Sequence, residues 1–338
     1  MPSMRFFFLL AIVCIVTSCG NPEKKLQSLA EKYAAGDAST AEKIPGAFIN
    51  AVSEVWFSSD GLTSNERILY YRSDTNMSVV YPEKKKLVMD NIDSSSFEYE
   101  NGVFAENSGR FLMINDLNRN AKKEIEFEND KTPIRSVLIA GDTVIYYSGA
   151  RLYSVDLASG KKDSYLKNDF PAPYPKYYSV KMTRSEKKIC LLAGSAGSYN
   201  LSVIDTDSKS APIKNTPASS SKLHLQGKYL YYIAGGTGAW ELVKMDTSAR
   251  TKAVVTKFND LSDIELYGGC CLFENTRGLW SCNYEGKKII IPFGYQLFGK
   301  VNGKALLKYG SRVYLADAGQ VFEKAVKLKE KAPGLFSE

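Results

Sequence analysis

The chain has 338 residues, 44 Lys plus Arg against 37 Asp plus Glu, a net charge of +7 and 44% hydrophobic residues. That is core material for one large domain or two ordinary ones, and it excludes a disordered or collagenous polypeptide. His224 is the one histidine; every metal site built on two imidazoles is therefore excluded, and neither metal nor cofactor is expected.

Arg5 is the one charge ahead of an 11-residue apolar run, Phe6 to Val16. The run is too short to span a bilayer as a helix and has the length of a signal-peptide apolar region. It closes on Val16-Thr17-Ser18-Cys19-Gly20, and this resembles the lipobox of bacterial lipoproteins. The resemblance implies a signal peptide over residues 1–18, cleavage before Cys19 and acylation of the Cys19 thiol with chains such as palmitate, which together make a stable membrane anchor. Gly20 stands where an aspartate would resemble an inner-membrane retention signal, so the same resemblance implies the outer membrane of a diderm bacterium, on its periplasmic or surface face. An ordinary secretory signal or a short N-terminal anchor is the alternative reading. Loss of Arg5 with the signal leaves 43 basic against 37 acidic residues, or +6.

Residues 19–45 read as a lipidated tether. Leu26, Leu29, Ala30 and Tyr33 share one helix face between Pro22 and Gly36, with Gly36 as the stop. Ser39 and Glu42 open a further short turn that Pro45 is expected to end. The helix reads as docked on the body that follows, with partner binding as the second reading.

Residues 46–330 repeat one unit, and 331–338 read as a C-terminal tail. Strands and turn signals dominate from about residue 50. The segments Val144 to Asp156 and Cys271 to Asn283 align without a gap, each an apolar strand, a tight turn and an aromatic-bearing strand, and each is followed by Gly-Lys-Lys. Related hairpins begin near Ile68, Val103, Ile189, Tyr229 and Ala305. The residues equivalent to Asp156 are read as Tyr81, Asn115, Asp205, Asp246, Asn283 and Asp317, a mean period near 39. Four strands in about 40 residues is the period of a propeller blade. The fold class expected is therefore all-β, a β-propeller of seven four-stranded blades behind a short helical tether. In repeat length and in the aromatic-x-x-Asp end of the third strand the units resemble those of bacterial TolB-like, YVTN and quinoprotein-like propellers. Each unit begins with its inner strand, so no strand exchange closes the ring; closure is assigned to Pro45 to Val52.

Chemistry is sparse. His224 alternates with Leu223 and Leu225 on a first strand, facing the channel or a neighbouring blade. A channel with carboxylates clustered around it and a deep pocket would favour catalysis, and one packed with apolar side chains would favour a scaffold; no catalytic residue is assigned. Asp205-x-Asp207 lacks the remaining positions of a calcium loop and reads as a turn. The glycine runs at Gly194 and Gly235 join strands and precede no helix, so they cradle no phosphate. Cys271 and Cys282 fall opposite each other across a hairpin, which leaves a disulfide and a structural thiol pair both open. Lysine groups such as Lys84-Lys85-Lys86, Lys122-Lys123, Lys161-Lys162 and Lys287-Lys288 solvate blade edges. Nucleic acid is not an expected partner of an exported chain.

The longest connections on one face are Ala193 to Tyr199, Ala234 to Trp240 and Asn168 to Tyr178. Phe170, Tyr174, Tyr177, Tyr178, Tyr199 and Trp240 are the candidate partner-binding residues, since aromatics held by prolines lose little entropy on binding; packing over the blade tops is the alternative. The function expected is a non-enzymatic, lipid-anchored protein-interaction scaffold working through blades 3 to 5 and binding envelope proteins. The alternative is a glycan- or peptide-binding propeller, or a hydrolase or lyase acting in the channel.

Overall fold

The computed structural model describes residues 20–336, apart from 73–75, 89–96, 109–110, 127–135, 149–150, 167–178, 186, 196–197 and 237. Seven four-stranded antiparallel sheets follow one another along the chain. The chain is a seven-bladed β-propeller, as the repeat period predicts. In blade 3 the strands are Ser136–Ala140, Thr143–Ser148, Arg151–Asp156 and Lys162–Ser164, within a residue or two of the expected bounds.

The period is written in one repeated contact. In blades 3 to 6 the third strand ends on a side chain that accepts backbone N–H groups two to four residues on: Asp156 from Ser159, Asp205 from Asp207 and Ser208, Asp246 from Ser248 and Ala249, Asn283 from Glu285 and Lys287. Such an Asx turn satisfies donors that the ladder leaves open. In blade 2 the residue that does this is Asp116, bonded to Asn118 and Arg119, not Asn115. Asp116 pairs with Val103 as Asp156 pairs with Thr143, so the sequence alignment was one residue out there.

Blade closure also differs from expectation. Gln296–Val301, Lys304–Tyr309 and Arg312–Ala316 supply three strands of blade 7, and the fourth is Ser53–Ser58 from the other end of the chain. It pairs in antiparallel register from Ser53 opposite Ala316 to Ser58 opposite Arg312. A strand exchange therefore completes the last blade. It was invisible in the repeat because Ser53–Ser58 belongs to no unit of its own in sequence order.

The structure forms two compact units. The first comprises the N-terminal segment to Asp60, Gly269–Gly299 and Lys304 onward. Its helices are α1 (Pro22–Ala34), α2 (Ile44–Val52) and α3 (Ala318–Lys331). Helix α1 stands where the apolar face predicts it, with Leu26 and Ala30 buried, Asn21 as N-cap and Gly36 at φ +96° after its end. A 3-10 helix, Ala38–Lys43, follows. Pro45 does not end that turn but sits in the first turn of α2, where its missing N–H has no partner to lose and its fixed φ suits the helix. Phe48 of α2 packs 5.8 Å from the Tyr295 ring, whose hydroxyl donates to Pro45 O at 2.6 Å. Helix α3 occupies residues that the repeat reading had given to the propeller and the tail. Val321, Ala325 and Leu328, spaced four and three apart, bury one face, and α3 packs over the three outer strands of blade 6. Asp317, the last member of the repeated series, here caps α3 by accepting from Gln320 N–H.

The second unit comprises Gly61–Gly268 and Lys300–Gly303. Its apolar clusters lie between adjacent sheets: Leu138, Ile145 and Leu152 of blade 3 pack with Ile189, Leu191 and Ile204 of blade 4, and Cys190, Leu192 and Val203 of blade 4 with Tyr232, Val243 and Met245 of blade 5. Lysines on outer strands tie blades together at the rim. Lys123 donates to Leu157 O and Ala158 O, and Lys162 to Glu126 O.

Candidate binding face and the charged first strands

The first strands of the second unit are not uniformly apolar. Alternation places Glu98 and Glu100, Lys181, Lys222 and His224, and Asp263 and Glu265 on the face opposite the packed side chains, and Glu66, Arg67 and Lys300 join them. Glu66 accepts from Lys181 Nζ at 2.5 Å, Glu98 from Arg67 Nε at 2.8 Å, Glu100 from Arg184 Nη2 at 3.1 Å, and Glu265 from Lys222 Nζ. Lys300 Nζ donates to Leu266 O at 2.8 Å. Four carboxylates are thus each held by a cation, which is what buried or half-buried charges require.

The electrostatics follow from burial and company. Burial pushes the Glu66 carboxyl up, but Lys181, Lys300 and Lys222 together hold it below the ordinary range. Burial raises Glu98 to about 7 despite Arg67, and the neighbouring charges of Glu66 and Glu100 add to the rise. Lys300 is lowered by burial, with Lys181 and Lys222 acting the same way against Glu66 and Glu265. His224 is pushed down to about 4, by burial first and the Lys300 charge second, while Glu66 opposes. It is thus a neutral imidazole at ordinary pH. Its position beside Lys300 and Glu66 agrees with a side chain turned away from Leu223 and Leu225. The surroundings match neither alternative posed from sequence: they are charged rather than apolar, and their carboxylates are neutralised rather than open. Among the described residues, no group of His, Cys, Asp and Glu could hold a metal ion.

None of these partners except His224 was singled out from sequence. The signal was available in Glu98-x-Glu100, Lys222-x-His224 and Asp263-x-Glu265, charged pairs at strand spacing just ahead of an apolar hairpin. The pairing Glu66 to Lys181 spans 115 positions and has no local trace.

The candidate aromatic face is described in part. Phe170, Tyr174, Tyr177 and Tyr178 lie outside the described residues, as does Cys19. Tyr199 and Trp240 are described, half-buried, at equivalent places in blades 4 and 5. Tyr199 pairs with Gly194 and Trp240 with Gly235. Both glycines are compelled by close approach: a Cβ on Gly194 would stand 2.2 Å from Ser198 O, and one on Gly235 2.1 Å from Ala239 O. Each glycine lets the opposite strand press in under its aromatic residue. Tyr199 packs against the blade 4–5 cluster, and Trp240 lies opposite the buried Phe258. So part of each ring serves packing, and the rest is open to solvent.

Cys271 and Cys282 are directly opposite, as the hairpin spacing predicts. Both are buried free thiols, as are Cys190 and Cys270. Burial raises Cys190 and Cys270 to about 12 and holds Cys271 well above the usual thiol range, with Cys282 beside it.

No protein-family model and no curated protein matches the sequence. Solved structures match the fold. The computationally designed Ika8 protein aligns over 75% of this chain and 82% of its own, with a TM-score of 0.50 and 8% identity. BamB from Moraxella catarrhalis aligns over 78% and 98%, with 0.41 and 12%. The extracellular domain of BT4673 from B. thetaiotaomicron aligns over 78% and 38%, with 0.44 and 15%.

Proposed function

We propose that this chain is a lipid-anchored envelope propeller that acts as a non-enzymatic protein-interaction scaffold, held to the membrane through acylated Cys19 and engaging an envelope protein through the hairpin face of blades 3 to 5. The observation that carries the binding reading is the repeated placement of Tyr199 and Trp240. In adjacent blades the same hairpin position offers a half-exposed aromatic braced from behind by a glycine-permitted close approach. Rings held in this way lose little freedom on contact and make effective anchors. The charged first strands support a non-catalytic reading, since Glu66, Glu98, Glu100 and Glu265 are engaged by Lys or Arg, and Glu66, the acid beside His224, is itself held by Lys181.

The test is capture in the native envelope. The wild-type chain, crosslinked in cells, should co-purify with a defined envelope protein; a variant with Tyr174, Tyr177, Tyr199 and Trp240 all replaced by Ala should lose it while keeping wild-type circular dichroism. Undiminished capture by the folded variant would overturn the assigned face. Capture of glycan or peptide fragments instead of protein would transfer the function to the alternative binding class. Labelling of the protein by radioactive palmitate, abolished by Cys19→Ala, checks the anchor.

A further inference from the structure

The helices of the first unit carry charge that the propeller does not need. Over α1 and α3 the sequence has seven lysines against four glutamates, whereas the whole chain has 44 basic against 37 acidic residues. The two helices run side by side in the same direction. Glu23 near the start of α1 pairs with Lys324, and Glu31 near its end pairs with Lys331 at 3.2 Å. Between them lies a surface groove with Leu26, Ala30 and Leu328 in its floor and Lys324, Lys327 and Lys331 along one side. Lys24, Lys25 and Lys327 are exposed. Stability alone would favour more acidic residues in the first turn of α1 and fewer repeated lysines facing solvent, because like charges on a helix surface repel.

The place of α1 in the chain says what this charge faces. Its N-cap is Asn21, whose Oδ1 accepts from Glu23 N–H at 2.9 Å. Asn21 stands two positions after Cys19, a reach of about 7 Å at full extension. A helix that begins this close to an acylated residue has its first turn at the level of the lipid headgroups, where anionic lipid attracts each nearby lysine.

We infer that α1 and α3 form a basic docking platform for an anionic phospholipid surface, with Lys24, Lys25 and Lys327 meeting the headgroup phosphates. The inference rests on the lipid-anchor reading for its geometry. It adds that the anchored protein is oriented, with its helical face against the leaflet, rather than swinging freely on its acyl chains. Lys324 and Lys331 remain committed to Glu23 and Glu31 and keep the helices together.

The test is a lysine footprint on the full chain purified from its own envelope. The acylated protein is placed in phosphatidylcholine vesicles with or without phosphatidylglycerol, treated briefly with an amine-acetylating reagent, and read site by site by mass spectrometry. The expected result is that Lys24, Lys25 and Lys327 are acetylated about fivefold more slowly in the phosphatidylglycerol vesicles, which corresponds to about 1 kcal/mol per lysine. High salt should erase the difference, inorganic phosphate at equal ionic strength should do no more than the salt, and Lys122 and Lys161 on blade edges should not change. Replacing Lys24, Lys25 and Lys327 by Glu should abolish slowing at the remaining helix lysines Lys32 and Lys329. Equal rates in the two vesicles, with the intact mass showing acyl chains, overturn the platform and leave the anchor standing. An intact mass without acyl chains overturns the anchor; the same footprint with that protein added to the vesicles then decides the platform, where equal rates again refute it.

Discussion

Replacing Lys222 by Met removes an ammonium while keeping most of the aliphatic stem. Its partner Glu265 is 5% exposed, flanked on its strand by buried Ile264 and Leu266, and accepts from Lys222 Nζ. A buried carboxylate stripped of its cation costs about 3 to 5 kcal/mol, because its attraction to the partner is lost while its desolvation remains. Two features put this case at the lower end. The Lys222 side chain is 28% exposed, so some water already reaches the pair, and Lys300 also acts electrostatically on Glu265. The expected loss is about 3 kcal/mol at neutral pH. The double variant Lys222→Met with Glu265→Leu removes both charges, and its loss should fall to within about 1 kcal/mol of wild type. Urea unfolding followed by circular dichroism, with tryptophan fluorescence as a second probe, measures all four corners of the cycle. A single variant within about 0.5 kcal/mol of wild type would show that the pair is solvated and does not join blades 5 and 6.

Glu98 titrates near 7 in the folded chain against 4.5 when unperturbed, so between those values the folded state binds more protons and stability falls as pH rises, by about 3 kcal/mol in total. Glu98→Gln should lack this slope, and parallel pH profiles for variant and wild type would refute the assignment. His224 works in the opposite sense. Its folded value is near 4 against 6.5, so the unfolded chain takes the proton first and stability is lost as pH falls below 6.5, by up to about 3 kcal/mol; His224→Gln should flatten that limb in the same unfolding series. Gly235 has φ +93° and no room for a Cβ, whereas Gly236 beside it has nothing within 4 Å. Gly235→Ala should cost about 2 kcal/mol or more and Gly236→Ala less than about 1, a contrast that thermal unfolding reads directly. The free thiols at Cys190, Cys270, Cys271 and Cys282 are buried; a thiol reagent should find none of them in the native protein and all four after unfolding without reductant, and a count of two would show that Cys271 and Cys282 are bridged.

What could be read in the sequence was whatever is local and repeated. The Asx turn at the end of the third strand in blades 2 to 6 needs only a side chain and the next few N–H groups, so it leaves a mark along the chain, and with the repeated hairpins that mark gave the period. Hairpin register was legible for the same reason: Cys271 opposite Cys282 depends only on where a two-residue turn falls. Helix α1 was readable from four apolar positions. Helix α3 was as periodic, in Val321, Ala325 and Leu328, but the expectation of continued strands hid it, and Asp317 looked like one more strand end when it is a helix cap.

Tertiary structure decided everything that joins distant segments. The strand Ser53–Ser58 completes blade 7 because the backbone edge of Arg312–Ala316 needs a partner, and a ladder hydrogen bond carries no sequence signature. Glu66 meets Lys181, and Lys222 meets Glu265, because the fold brings these segments together and leaves their charges less water to rely on. A charge in a sequence looks the same whether it will face solvent or an ion partner. Burial distinguishes the two, and burial belongs to the folded chain.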